Sequence, residues 1–241
     1  MSDLAFENRP FAIALGEVPN ARGVRIFGRV TAPGGGAAYV PVWGVGTAYP
    51  YPAAATLLDL SSDSASDTPT GPGTGAHSVY VEGLDANYVE QTETVALNGV
   101  GVVTTTKAYI RLRKIQVNAC GTALSNVGVI TAVNSGGANV LARITAGEGH
   151  SNQCIVTVPA GKTMLMLDPS ITFGATASVR LRVREFGGAW QSRAYYEGLL
   201  FTGGPGALAI PRDYPAKADV VLEASAAAAI VTGEFEALFV S

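Results

Sequence analysis

The stretch Ser178-Val179-Arg180-Leu181-Arg182-Val183-Arg184-Glu185 decides the fold class. Residues two apart on a β-strand share a face, so Val179, Leu181 and Val183 point to a core while three guanidinium groups point the opposite way. A helix of the same length would scatter both sets around its axis. The alternation recurs outward from this segment. Glu234 and Glu236 alternate with Phe235, Ala237 and Phe239, and Asp219 and Glu223 bracket Val220 and Leu222. Further strands are predicted at Val24–Val30, Thr56–Leu60, Ser78–Val81, Thr92–Leu97, Tyr109–Val117, Val127–Ala132, Val140–Thr145, Gln153–Val158, Thr163–Leu167 and Arg193–Phe201. Within Tyr109–Val117 the apolar parity slips from Ile110 and Leu112 to Ile115 and Val117, which predicts a bulge near Arg113-Lys114. Asn98-Gly99, Ser135-Gly136-Gly137 and Pro159-Ala160-Gly161-Lys162 supply turn chemistry between runs and are read as hairpin connections. The pattern predicts an all-β fold over residues 51–241, an antiparallel two-sheet sandwich of jelly-roll type.

Residues 1–50 read differently. Gly34-Gly35-Gly36, Pro41, Pro50 and Pro52 interrupt the apolar runs, and Tyr39, Trp43, Tyr49 and Tyr51 place large contact surfaces on that backbone. This composition predicts an irregular Pro/Gly-rich N-terminal arm that docks on a partner. Deleting residues 1–46 is then expected to leave a folded sandwich. Ser61–Ala76, rich in Ser, Asp, Thr, Pro and Gly, reads as a long exposed loop.

Composition narrows the function. Charged residues make up 15% of 241 residues, below the typical ~25%, and mean hydropathy is +0.26. So little charge leaves surface reserved for other subunits, and a homo-oligomer is expected, with a closed trimer favoured. Sixteen Lys and Arg against 19 Asp and Glu give no electrostatic basis for direct nucleic-acid binding. Neither a secretory leader nor a membrane-inserting segment is read from the hydropathy pattern. Cys120 and Cys154 match no zinc or redox spacing and are expected to be buried thiols.

Sites of chemistry are sought and discounted one by one. Gly149-His150-Ser151 begins like a nucleophile elbow, but the second glycine and the following helix are missing. Gly161-Lys162-Thr163 ends like a phosphate loop, yet apolar strand follows it. His77 and His150 are the only histidines, and Asp59, Asp63 and Asp67 lack the glycine and glutamate of a calcium hand. The expectation is a protein without enzymatic activity, cofactor or metal. Arg180, Arg182 and Arg184 form the densest basic feature, readable as a solvated face or as contact with an acidic partner. With Tyr39, Trp43, Tyr49 and Tyr51 they make up the candidate partner-binding set. Trp190 beside Gly187-Gly188 is read as core or as a sugar platform.

An ordered series runs through Trp43-Gly44-Val45-Gly46, Tyr49-Pro50-Tyr51-Pro52, Leu60-Ser61-Ser62, Asp67-Thr68, Gly73-Thr74-Gly75-Ala76, Val81-Glu82-Gly83-Leu84-Asp85 and Glu93-Thr94-Val95-Ala96-Leu97-Asn98-Gly99, ending with Val156-Thr157-Val158-Pro159-Ala160-Gly161-Lys162-Thr163. This series resembles virion structural proteins of tailed phages of marine bacteria. The resemblance implies a non-enzymatic particle component, foremost a capsid decoration or cement protein, with a carbohydrate-binding head-fibre or tail protein as the alternative. It implies the major capsid protein or other virion proteins as partners, a host surface glycan for the alternative, and a place in the virion after assembly in the host cytoplasm.

Overall fold

The computed structural model describes residue 13 and residues 17–31, 38–71, 73–173, 176–198, 212–226 and 229–241. Within them the chain is all-β and antiparallel, with sixteen strands in four small sheets. A propeller-like arrangement of these sheets replaces the expected single two-sheet jelly-roll sandwich.

The first sheet joins the two ends of the described chain. Strand β1 (Ala21–Thr31) pairs with β16 (Ile230–Val240) over its whole length, from Ala21 opposite Val240 to Thr31 opposite Ile230. Beyond β16 lie β11 (Thr163–Phe173) and β14 (Arg212–Tyr214). The β11 register shifts between Met166 and Pro169, where the proline has no N–H to give the ladder.

In the second sheet the order is β10 (Ile155–Thr157), β15 (Asp219–Ser225), β12 (Ala177–Arg184), β13 (Gln191–Gly198), with β2 (Val40–Pro41) also pairing β15. The third contains β6 (Val103–Thr104), β3 (Leu58–Ser62), β8 (Ile130–Asn134) and β9 (Val140–Ile144), and the fourth β5 (Glu90–Ala96), β4 (Ala76–Leu84) and β7 (Arg111–Cys120).

Two main cores follow. Ile26, Val30, Met164, Phe235 and Phe239 of the first sheet meet Val156, Val179, Leu181, Val183, Val220 and Leu222 of the second. Another core gathers Leu58, Leu60, Val79, Val81, Ile115, Ile130 and Leu141 from the third and fourth sheets with Tyr109 from just before β7, and reaches the second sheet through Ile155 and Val221. The second sheet is therefore covered on both faces. Its strand β12 shows strict alternation, with Ala177, Val179, Leu181 and Val183 buried and the arginines half-buried on the opposite face.

The bulge falls where parity slips. Glu82 pairs with Lys114 and Gly83 with Leu112, so Arg113 is the extra residue of β7. Gly83 is required there, because a Cβ would stand 2.3 Å from the Arg111 carbonyl oxygen. Ser135-Gly136-Gly137 does join a hairpin, β8 to β9. Pro159–Lys162 does not form the expected hairpin: it passes the chain from the second sheet to the first. A local turn signal specifies a reversal of direction and leaves open which sheet receives the next strand.

Residues 1–50, read as a docking arm, contribute β1, β2 and the buried Val42, Trp43 and Tyr49 in this structure. Gly34-Gly35-Gly36 lies outside the described residues. Gly28 and Gly233 face each other across the β1–β16 pair. A Cβ on Gly28 would meet the Val42 carbonyl at 2.0 Å and the Cys154 amide nitrogen at 2.4 Å, so the chain at Val42 and Cys154 packs directly against β1. Ser61–Ala76 is no free loop either. Asp67 is fully buried, and its carboxylate accepts from the amides of Ala76, Val127 and Gly128 and from Ser62 Oγ, clasping three loops.

Candidate functional site

Three arginines on one strand face need anions on the neighbouring strand, and the β12–β15 register supplies them: Arg180 lies opposite Glu223 and Arg184 opposite Asp219. Arg180 Nε donates to Glu223 at 2.7 Å, Arg182 Nη1 reaches Glu223 at 3.3 Å, and Arg184 Nε donates to Asp219 at 3.1 Å. Asp219 also accepts from Thr157 Oγ1 and binds Arg111 through two parallel hydrogen bonds of 2.9 and 3.2 Å. Burial works against the Arg111 charge, but its bonds to Asp219 outweigh that and raise its pKa.

Aromatic rings fill the spaces between these charges. Tyr39 lies 4.2 Å from the Arg180 guanidinium carbon, Trp190 lies 5.0 Å from that of Arg182, and Arg184 sits 4.8 Å from both Trp190 and Tyr51. Edge-to-face contacts then run from Trp190 to Tyr51, Tyr49 and Trp43, at centroid separations of 5.0, 4.8 and 5.2 Å. Burial pushes the Tyr49 hydroxyl up to about 12 and raises that of Tyr51 well above its usual value, so both rings stay neutral. All seven residues of the candidate partner-binding set converge here, on one face of the second sheet. What the aromatic residues dock on is their own chain, and the acidic surface facing the arginines is Asp219 and Glu223. The two carboxylates are legible in principle: their four-residue spacing on one strand matches the Arg180 to Arg184 spacing on another.

Other candidates separate. Ser151 Oγ accepts from the Ile115 amide at 3.0 Å, while His150 is exposed with Nδ1 2.9 Å from the Glu148 carbonyl oxygen. Nε2 of His77 lies 2.7 Å from the Gly73 carbonyl oxygen. Asp59 accepts from Thr104, Asp63 from the Val129 amide, and Asp67 holds the loop clasp. Lys162 pairs with Glu90 at 3.2 Å. Cys154 is buried, and burial raises its thiol pKa well above the ordinary value; Cys120 is only half-buried, which corrects the expectation of two buried thiols.

Sequence reasoning does not anticipate a cleft of about 800 Å³ between β1 and the bulged strand β7. Arg22 from β1 and Arg113 from β7 both bond to Glu82 and to Glu90. Burial opposes ionisation of Glu82, but Arg113 and Arg22 outweigh it and hold the carboxylate below its ordinary 4.5. Glu90 is lowered in the same way by Arg113, Lys162 and Arg22 against a burial cost.

No protein-family model matches the chain, and no curated protein matches it. Among solved structures it is similar to the infectious bursal disease virus VP2 subviral particle at 11% identity and a TM-score of 0.22, covering 91% of this chain and 72% of that one. The structure of the Gx strain of the same virus gives 11% identity and a TM-score of 0.23 over 92% of this chain and 72% of that one. Superposition at this level does not establish a shared fold.

Proposed function

We propose that the chain is a non-enzymatic structural component of a tailed-phage virion, a capsid decoration or cement protein that assembles in the host cytoplasm onto the head shell. The observation that carries this reading is the ordered motif series from Trp43 to Thr163, supported by a composition with too little charge for an isolated subunit. Cement proteins act by mass action: contacts available only on the assembled shell stabilise that shell. A closed homotrimer bound to the major capsid protein fits the apolar surface.

The aromatic segment is folded into the chain, so the shell contact lies elsewhere. Val100, Val102 and Leu124 are exposed on loops tied to Asp67, and they are the residues we assign to it. The alternative, a carbohydrate-binding head-fibre or tail protein, needs an open aromatic platform. Trp190 packs edge-to-face on Tyr51 and lies under two arginines, which favours the cement reading. Quantitative mass spectrometry of virions tests the proposal. Hundreds of copies per particle, with loss of binding in Leu124→Asp, support decoration; a dozen copies or fewer would move the protein to a vertex or tail.

A further inference from the structure

The outer face of the third sheet carries an arginine without a counter-ion. The arginines of β1, β7 and β12 each hold a carboxylate. Arg143 of β9 holds none among the described residues, and its Nε is buried there with no acceptor. A guanidinium in that state favours an incoming anion, because burial has taken water from it and supplied no partner in exchange.

Strand register sets its surroundings. Ser61 pairs with Thr131 and Thr131 with Arg143, so side chains from β3, β8 and β9 form one row across the sheet. Their neighbours along the strands, Leu60, Ile130, Ala132, Ala142 and Ile144, belong to the core shared with the fourth sheet, which puts the row on the opposite face. A cavity of about 290 Å³ opens over this row, with Val45, Val140 and Asp63 also lining it. Asp63 sits on the β3 side, and with β8 between them β3 and β9 run roughly 10 Å apart, so its carboxylate does not neutralise Arg143. Its Oδ1 accepts from the Val129 amide at 2.7 Å, which fixes the group and leaves Oδ2 for a ligand.

The two ends of the row select a ligand with two kinds of group. Arg143 suits a carboxylate, while Asp63 offers only acceptor oxygens and the Ser61 and Thr131 hydroxyls both donate and accept, so the remainder of the ligand carries hydroxyls. One cation facing one anion leaves the cavity near neutral, which disfavours a dianion such as phosphate. The volume is at the lower end for small-molecule sites and fits a single ring. We propose that the cavity binds a hydroxylated monocarboxylate, a sugar acid, with its carboxylate on Arg143 and its hydroxyls on Thr131, Ser61 and Asp63. A free sugar acid and the uronate units of an acidic glycan share this chemistry. The site does not depend on the virion reading, and a null result here leaves the copy-number test untouched.

The test titrates galacturonate into the isotope-labelled full chain and follows the backbone amide resonances. The expected result is saturable shifts centred on Val45, Thr131 and Arg143, with a Kd of about 1 mM. Arg143→Gln should weaken binding about tenfold or more at unchanged melting temperature, since no carboxylate of the described chain depends on Arg143. Should that variant fail to fold, the wild type supplies the same readout, because the uncharged methyl ester of galacturonate must bind about tenfold more weakly than the acid. Comparable binding of trigalacturonate assigns the site to a glycan and binding of the monomer alone assigns it to a free sugar acid; both support the proposal. Absence of saturable shifts up to about 50 mM, or shifts confined to other regions, would overturn it. Equal binding of the methyl ester, of butyrate or 4-aminobutyrate, which lack hydroxyls, or of inorganic phosphate would overturn it as well.

Discussion

The two faces of the second sheet are stabilised by different physics. Toward the first core, β12 and β15 present Val179, Leu181, Val183, Val220 and Leu222, which contribute by leaving water. On the opposite face, Arg180, Arg182, Arg184, Asp219 and Glu223 contribute only as a set, because each buried charge is tolerable while its partner remains. One face tolerates changes of shape in proportion to area lost. Its opposite tolerates the removal of a whole pair better than the removal of half of one.

The largest expected effect tests whether the N-terminal segment belongs to this construction. Deleting residues 1–46 removes all eleven rungs of β1 with β16, together with Val42 and Trp43. The truncated chain should show no cooperative thermal transition; a sharp melt near that of the full chain would restore the idea of a dispensable arm. Next come single changes on the two faces. Phe235→Ala should cost about 3 to 5 kcal/mol by denaturant titration, from transfer plus cavity. Asp219→Ala should cost a similar amount, about 3 to 5 kcal/mol, by stranding Arg111 and Arg184. The triple variant Arg111→Met, Arg184→Met and Asp219→Leu sharpens the contrast, since removing the carboxylate together with both of its arginines should recover most of that loss, whereas no second apolar truncation rescues Phe235→Ala.

Acid should act on the charged regions alone. Glu82 and Glu90 are held below their ordinary 4.5, so their contribution is complete above about pH 4.5 and is lost as pH falls through the lowered values. Stability measured from pH 6 downward should drop in wild type and fall less steeply in Glu82→Gln. The smallest effect is expected at Arg182, whose side chain is 24% exposed and whose carboxylate is shared with Arg180. Arg182→Ala should cost about 1 kcal/mol or less.

Local features of this fold are legible in the amino-acid sequence. The Val179 to Arg184 alternation specifies the two-faced strand, and the parity slip at Arg113 specifies the bulge. Sheet membership is not legible. The β1–β16 pairing joins residues separated by about two hundred positions, and Gly161 turns the chain equally well into a hairpin or across to another sheet. The aromatic run at Tyr39–Tyr51 reads as a docking element, but composition does not say whether the surface it docks on is foreign or its own. Asp67 sits in a stretch whose Ser, Pro and Gly content resembles a linker, and only the convergence of three amides on its carboxylate marks it as a clasp.

Strand β1 and residues 38–51 are integral parts of the fold, closed against β16 and the arginine face. Amide hydrogen exchange of the intact protein tests this most directly. Hydrogen-bonded amides of β1 should exchange as slowly as those of β16, with the Trp43 amide comparably protected. Fast exchange throughout residues 21–31 and 38–51, beside slow exchange in β16, would contradict it.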